Sequence, residues 1–124
     1  MLPNFLIEES TVRESGESPV FDLGDHSQDN LLLTLGITHA VEQESIDLDI
    51  LGSEDGENWS RKPLVTFTQK FYCGTYQMIL PRSQYQYVKA VWRANRWGRG
   101  GSRPFFRFYV FVQPARVRAM AGAA

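Results

Sequence analysis

Ile46-Asp47-Leu48-Asp49-Ile50-Leu51-Gly52-Ser53-Glu54-Asp55-Gly56-Glu57-Asn58-Trp59 alternates apolar and acidic residues through its first half, passes through a glycine and acid turn, and ends on a tryptophan. A period of two puts Ile46, Leu48 and Ile50 on one face and Asp47 and Asp49 on the other, which is the pattern of a half-buried strand. Glu54-Asp55-Gly56 is a reverse-turn signal. The stretch therefore predicts strand, tight turn and returning strand, an outer hairpin of a β-sandwich.

Downstream, Leu64 to Thr68 alternates in the same way, Tyr72-Cys73-Gly74 reads as a bend, and Thr75 to Leu80 is a strand closed by Pro81. Tyr85 to Arg93 sets Val88, Ala90 and Trp92 against Tyr87, Lys89, Val91 and Arg93. A glycine-rich loop from Ala94 to Ser102 then makes a hairpin with Arg103 to Val112, the most aromatic strand of the chain. Phe106, Phe108, Val110 and Val112 form one of its faces, and Phe105, Arg107, Tyr109 and Phe111 the other. Both faces are too apolar for open solvent, so one packs the core and the other meets a second protein surface or an arm of this chain.

Upstream, Leu31 to Thr38 places Leu31, Leu33, Leu35 and Ile37 on one face of a buried central strand, and a polar connection from His39 to Ser45 follows it. Val20 to Gly24 is a short strand, and Phe5, Ile7 and Val12 mark an edge strand or arm ending at Gly16-Glu17-Ser18-Pro19. The sum is about eight short strands with turn signals at even intervals and no amphipathic helix. That predicts an all-β fold, a single-domain antiparallel β-sandwich of jelly-roll type. An N-terminal arm or edge strand over residues 1–19 leads into the sandwich domain, 20–113, and a small, basic tail, 114–124, follows. A chain of 124 residues is long enough to bury one such core without staples or metal.

Charge is unevenly distributed along the chain. Residues 1–57 hold all fourteen acids and one base, Arg13, while residues 58–124 hold the other twelve bases and no acid, so a net −1 conceals halves of −13 and +12. Three readings follow: compensation between neighbouring strands, acidic and basic faces that pair head to tail in an assembly weakened by salt, or a basic face for an external anion. Cys73 is alone, so no internal disulfide forms; amid aromatics and with no activating partner in sequence, it reads as a small buried apolar residue. The start, Met1-Leu2-Pro3-Asn4-Phe5-Leu6-Ile7, lacks the pattern of a signal peptide, and no run is long enough to span a membrane. The expectation is a cytoplasmic protein or one assembled into a particle.

With those elements placed, Leu51-Gly52-Ser53-Glu54-Asp55-Gly56-Glu57-Asn58-Trp59 resembles the strand and Ser-x-Asp-Gly-x-x-Trp signature of discoidin-type and other galactose-binding-like jelly rolls. Tyr85-Gln86-Tyr87-Val88-Lys89-Ala90-Val91 is similar to that family's aromatic Tyr-Val-Lys/Arg strand, Phe106 to Phe111 to its closing strand, and Phe21-Asp22-Leu23-Gly24 to its Asp-Leu-Gly strand. The resemblance runs from about residue 20 to 112. It implies a jelly roll and, as a function, sugar or lipid binding; the family's usual cysteine pair is missing.

No catalytic constellation is present. His26 and His39 fall in loops without a nucleophile partner. Asp47, Asp49, Asp55 and Glu57 lack the spacing of a calcium loop, so no metal or other cofactor is called for. The segment with a binding character contains Trp92, Arg93, Arg96, Trp97, Arg99 and Arg103: arginine forks suit carboxylate or phosphate, and tryptophans offer stacking platforms. Together with Phe105, Tyr109 and Phe111 these are the candidate contact residues. They point to a non-catalytic structural or adaptor subunit that self-assembles or docks on a larger complex, its partner a protein, including other copies of itself. A carbohydrate-binding module with Trp97 and Tyr72 stacked on sugar rings is the alternative. Nucleic acid is disfavoured because the acidic half repels its backbone.

Overall fold

The computed structural model describes residues 2–41, 43–96 and 104–115. Nine strands appear among them: β1 (Asn4–Val12), β2 (Gly16–Glu17), β3 (Phe21–Asp22), β4 (Leu31–Ala40), β5 (Glu44–Ser53), β6 (Val65–Lys70), β7 (Gly74–Leu80), β8 (Tyr87–Arg96) and β9 (Phe106–Pro114), with a single 3-10 turn at Gly24–His26. They form two antiparallel sheets, one in the order β1-β9-β4-β7, the other β2-β8-β5-β6 with β3 also paired to β8.

The sandwich is a direct consequence of the alternation. Leu31, Leu33, Leu35 and Ile37 of β4 and Phe106, Phe108, Val110 and Val112 of β9 turn inward from the four-stranded sheet; Ile46, Leu48 and Ile50 of β5 and Val88 and Ala90 of β8 turn inward from the other. Phe67, Leu80, Leu6 and Leu23 complete the same core. Two sheets with one apolar face each bury those faces against one another.

β5 is not an outer strand. It lies between β8 and β6, and the turn after it is held by side chains rather than by a returning strand. Ser53 Oγ accepts the N–H of Gly56 at 2.8 Å and donates to Asp55 Oδ1 at 2.9 Å. Asp55 Oδ1 in turn accepts the N–H of Asn58 and Glu57, each at 2.8 Å. Gly56 supplies the left-handed backbone, φ 83°. The chain rejoins β5 only at one bridge, Ser53 to Trp59, and pairs again from Val65. The donors gathered on Asp55, the backbone N–H of Asn58 first, push its carboxyl well below the usual carboxylate range.

Other expectations are corrected in the same way. Tyr85–Arg93 and Arg103–Val112 do not form a hairpin, because β8 belongs to one sheet and β9 to the other. The polar connection after β4 shrinks to residues 41–43: His39 lies on β4, and Glu44 and Ser45 are buried at the start of β5. His26 sits in the 3-10 turn, its Nδ1 2.8 Å from Asp29. Cys73 is exposed, not buried, because the chain uses Phe71-Tyr72-Cys73 to cross from β6 to β7 at the end of the sandwich, where no core reaches.

The charge halves meet inside the fold. Arg107 on β9 donates to Glu9 on β1 at 2.6 Å, Lys89 on β8 to Glu17 on β2 at 3.0 Å, and Arg93 on β8 to Asp49 on β5 at 2.7 Å, with Asp47 3.6 Å away. Each pair joins a strand from the basic half of the sequence to one from the acidic half.

Candidate functional site

The feature that stands apart from ordinary sandwich construction is the outer face of the four-stranded sheet. Alternation along β9 turns Arg107, Tyr109 and Phe111 away from the core. In register beside them lie Gly36 opposite Tyr109 and Thr34 opposite Phe111 on β4, then Thr75, Gln77 and Ile79 on β7 opposite Gly36, Thr34 and Leu32. Gly36 is there for a physical reason: a Cβ added to it would sit 2.2 Å from Cε2 and Cζ of Tyr109, so the ring lies directly on bare backbone.

β1 supplies Phe5, paired to Phe111 in register. Its ring stands edge-on to both aromatics, with centroids 5.9 Å from Tyr109 at 85° and 4.9 Å from Phe111 at 65°. Phe5, Glu9, Thr34, Tyr109 and Phe111 line a shallow depression of about 350 Å³. Phe5 remains 42% exposed at one edge of the sheet and Ile79 43% exposed at the other. An arm of the chain thus covers part of this aromatic surface and leaves the rest open.

Charge on this face is already satisfied. The outward positions of β4, β7 and β9 hold one ionised group, Arg107. Besides Glu9, Arg107 reaches Thr11 Oγ1 at 3.2 Å, and Thr38 donates to Glu9 at 3.0 Å. The Arg107 hydrogen bond, with help from Thr38, holds the Glu9 carboxyl below its ordinary value. The opposite outer face of the sandwich differs sharply, being paved with Asp47, Asp49, Arg93, Lys89 and Glu17.

At the end of the sandwich where β9 begins, Phe105 is wedged between the Arg13 guanidinium, 4.6 Å from its ring centre, and the edge-on His39 ring at 5.0 Å. Its N–H donates to Glu44 Oε1 at 2.8 Å, and the other oxygen of Glu44 accepts the N–H of Val41, also at 2.8 Å. Glu44 is only 1% exposed. One buried carboxylate therefore ties the link between β4 and β5 to the start of β9. The same end carries Tyr72, 76% exposed, beside Phe71 and Cys73.

The residues singled out from sequence do not converge on one site. Tyr109 and Phe111 share the outer face of the four-stranded sheet, while Phe105 precedes β9 at the end of the sandwich, between Arg13 and His39. Trp92 points into the other sheet's inner side, its ring 5.5 Å from Phe108 and its N–H donated to the Glu14 carbonyl at 2.9 Å, so it finishes the core and is no stacking platform. Arg93 is occupied by Asp49 and Asp47, and the Asp49 hydrogen bond raises its pKa. Arg96 ends β8 opposite Glu44. Trp97, Arg99 and Arg103 lie outside the described residues. Phe5, Gly36 and Ile79 were missed as members of the face; a glycine inside the otherwise apolar Leu31–Ala40 strand was the available signal, since it marks a close approach.

Among the described residues no three His, Cys, Asp or Glu side chains are grouped to hold a metal ion. No helix among them is long and apolar enough to cross a membrane. No protein-family model matches the chain, and no curated protein sequence matches it. Among solved structures it is similar to a mitogen from Yersinia pseudotuberculosis, with 13% identity, 93% of this chain and 89% of that chain covered, and a TM-score of 0.43. A likeness that slight carries no argument about role.

Proposed function

We propose that this protein is a non-catalytic association module, a jelly-roll sandwich that docks through the outer face of its four-stranded sheet. The observation that carries the proposal is the apolar surface of Phe5, Tyr109 and Phe111, with Leu32 and Ile79 beyond the hydrogen-bonded Thr34 and Gln77, on a face whose one outward cation is neutralised within the chain. Interleaving of early and late strands in both sheets supports the jelly-roll winding. The basic residues of β8 and β9 are a weaker candidate for docking, because Arg93, Lys89 and Arg107 already have acidic partners. The test is affinity capture with cross-linking under native conditions, comparing wild type with Ile79→Lys and Arg93→Ser. Loss of every cross-link in the Ile79 variant alone supports docking through this face. Equal patterns in all three chains, or none in any, count against it.

A second reading, a carbohydrate-binding module, draws on Tyr72, whose ring is 76% exposed at one end of the sandwich, and on Tyr109, whose ring lies flat on the sheet. A glycan array with no hits removes it.

A further inference from the structure

The identity of the partner follows from what the face lacks. An acidic or basic surface placed on it would find one cation, Arg107, already bonded to Glu9 at 2.6 Å, and no other charge on the outward positions of β4, β7 and β9. The matching surface must itself be apolar and without net charge. One such surface is on the page: the same face of a second copy.

We infer that two copies of this chain pair face to face through the outer surfaces of their four-stranded sheets, with Tyr109 and Phe111 at the centre and Phe5 and Ile79 at opposite edges; this rests on the association reading above. A two-fold axis near Tyr109 brings the aromatic rings of one copy onto those of the other, and Arg107, two positions along β9 from Tyr109, enters the interface already paired to Glu9. The face that carries Asp47, Asp49, Arg93 and Lys89 stays in water on both outsides. Stacked sheets pack about 10 Å apart with strands nearly aligned, which flat aromatic and short polar side chains such as Thr34 and Thr75 permit.

Size sets the strength. Four strands about 4.8 Å apart and roughly seven residues long offer about 450–500 Å² per copy, or about 1,000 Å² in the pair. Stable interfaces start near 1,200 Å² in total. The dimer is therefore concentration-dependent and exchanges readily. Because the charges are satisfied within each copy, added salt does not dissolve it, which reverses the salt dependence expected from the charge halves alone.

Sedimentation of the full chain from about 1 to about 500 µM, at about 0.1 and about 1 M salt, tests this directly. Reductant is included so that exposed Cys73 does not link copies. The expected result is a reversible monomer–dimer equilibrium, as strong or stronger at high salt. Ile79→Lys and Phe5→Gln, both at exposed positions and checked for an unchanged fold by circular dichroism, should each weaken it by about tenfold or more. Arg93→Ser should leave it unchanged. A monomer at every concentration overturns the proposal and leaves the face to another occupant, residues 116–124 or a different protein; in that case captured partners that still depend on Ile79 preserve the association reading. A dimer that dissolves in salt, or responds to Arg93→Ser and not to Ile79→Lys, also overturns it.

Discussion

Glu44→Gln is the sharpest test of how the ends of this sandwich are held. The native carboxylate is 1% exposed and accepts two backbone N–H groups, from Val41 and Phe105, each at 2.8 Å. Glutamine keeps the shape and one acceptor oxygen, but turns an NH2 toward the other N–H. One charge-assisted hydrogen bond becomes a neutral one and the second becomes a buried donor facing a donor. At about 1.5–3 kcal/mol for a bond to a charged group and about 1–3 kcal/mol for an unsatisfied buried donor, less the relief from no longer burying a charge, the net loss is about 2–4 kcal/mol. For a domain of this size that lowers Tm by roughly 8–16 °C. Since single domains hold about 5–15 kcal/mol, the variant should still fold. Thermal melts give the total, and amide hydrogen exchange gives its location: Val41 and Phe105 should lose protection while the middle of β4 and β9 keeps it. A Tm change under about 3 °C with both amides still protected would refute the clasp.

Three further outcomes follow from the geometry. Gly36→Ala places a methyl 2.2 Å from the Tyr109 ring, so the ring must lift from the sheet; a loss of about 1–3 kcal/mol is expected, seen in denaturant melts together with a changed near-ultraviolet tyrosine signal. Asp55 has a lowered pKa in the fold, so its contribution to stability is complete above the unfolded carboxylate value near ~4 and is lost as pH falls through the folded value. Asp55→Asn should therefore flatten the acid side of a stability-versus-pH profile, and an unchanged slope would contradict the turn network. Arg93→Ser leaves Asp47 and Asp49 facing solvent as unrelieved like charges; the melting temperature should fall by the equivalent of up to about 1 kcal/mol, more at low salt than at high.

The fold was legible wherever alternation was clean. In β4, β5 and β9 every inward residue expected from the period of two is buried, because a strand with one apolar face has a single way to meet a second sheet. Pairing was not legible. The chain around the glycine-rich loop has the local look of a hairpin, yet β8 and β9 part to different sheets, and only the identity of their neighbours decides that. Cys73 misled for a related reason: small apolar residues among aromatics are usually interior, but here Phe71, Tyr72 and Cys73 together serve as the crossing between two edge strands. The candidate site was half visible. The outward aromatics of β9 could be read directly, whereas Phe5 reaches Phe111 across more than a hundred intervening positions, a distance that no local pattern spans.

The segregation of charge along the chain finds its cause in the strand order. β9 pairs with β1, and β8 lies between β2 and β5, so these two late, basic strands lie beside early strands that carry Glu9, Glu17, Asp47 and Asp49; β4, the other neighbour of β9, carries no acid. A winding of this kind turns a division along the sequence into an alternation across the sheets. Arg107 meets Glu9, Lys89 meets Glu17, and Arg93 meets Asp49 without any contact between molecules. Exposed pairs of this type add little stability each, but they disfavour some alternatives: setting β8 beside β9, or β1 beside β5, would put base against base or acid against acid, which cross-strand neighbours resist. Charge thus favours these pairings, and it engages Lys89, Arg93 and Arg107 in making them. The aromatic face over Gly36 takes no part in these ion pairs beyond Arg107–Glu9, and it is the face proposed above for association.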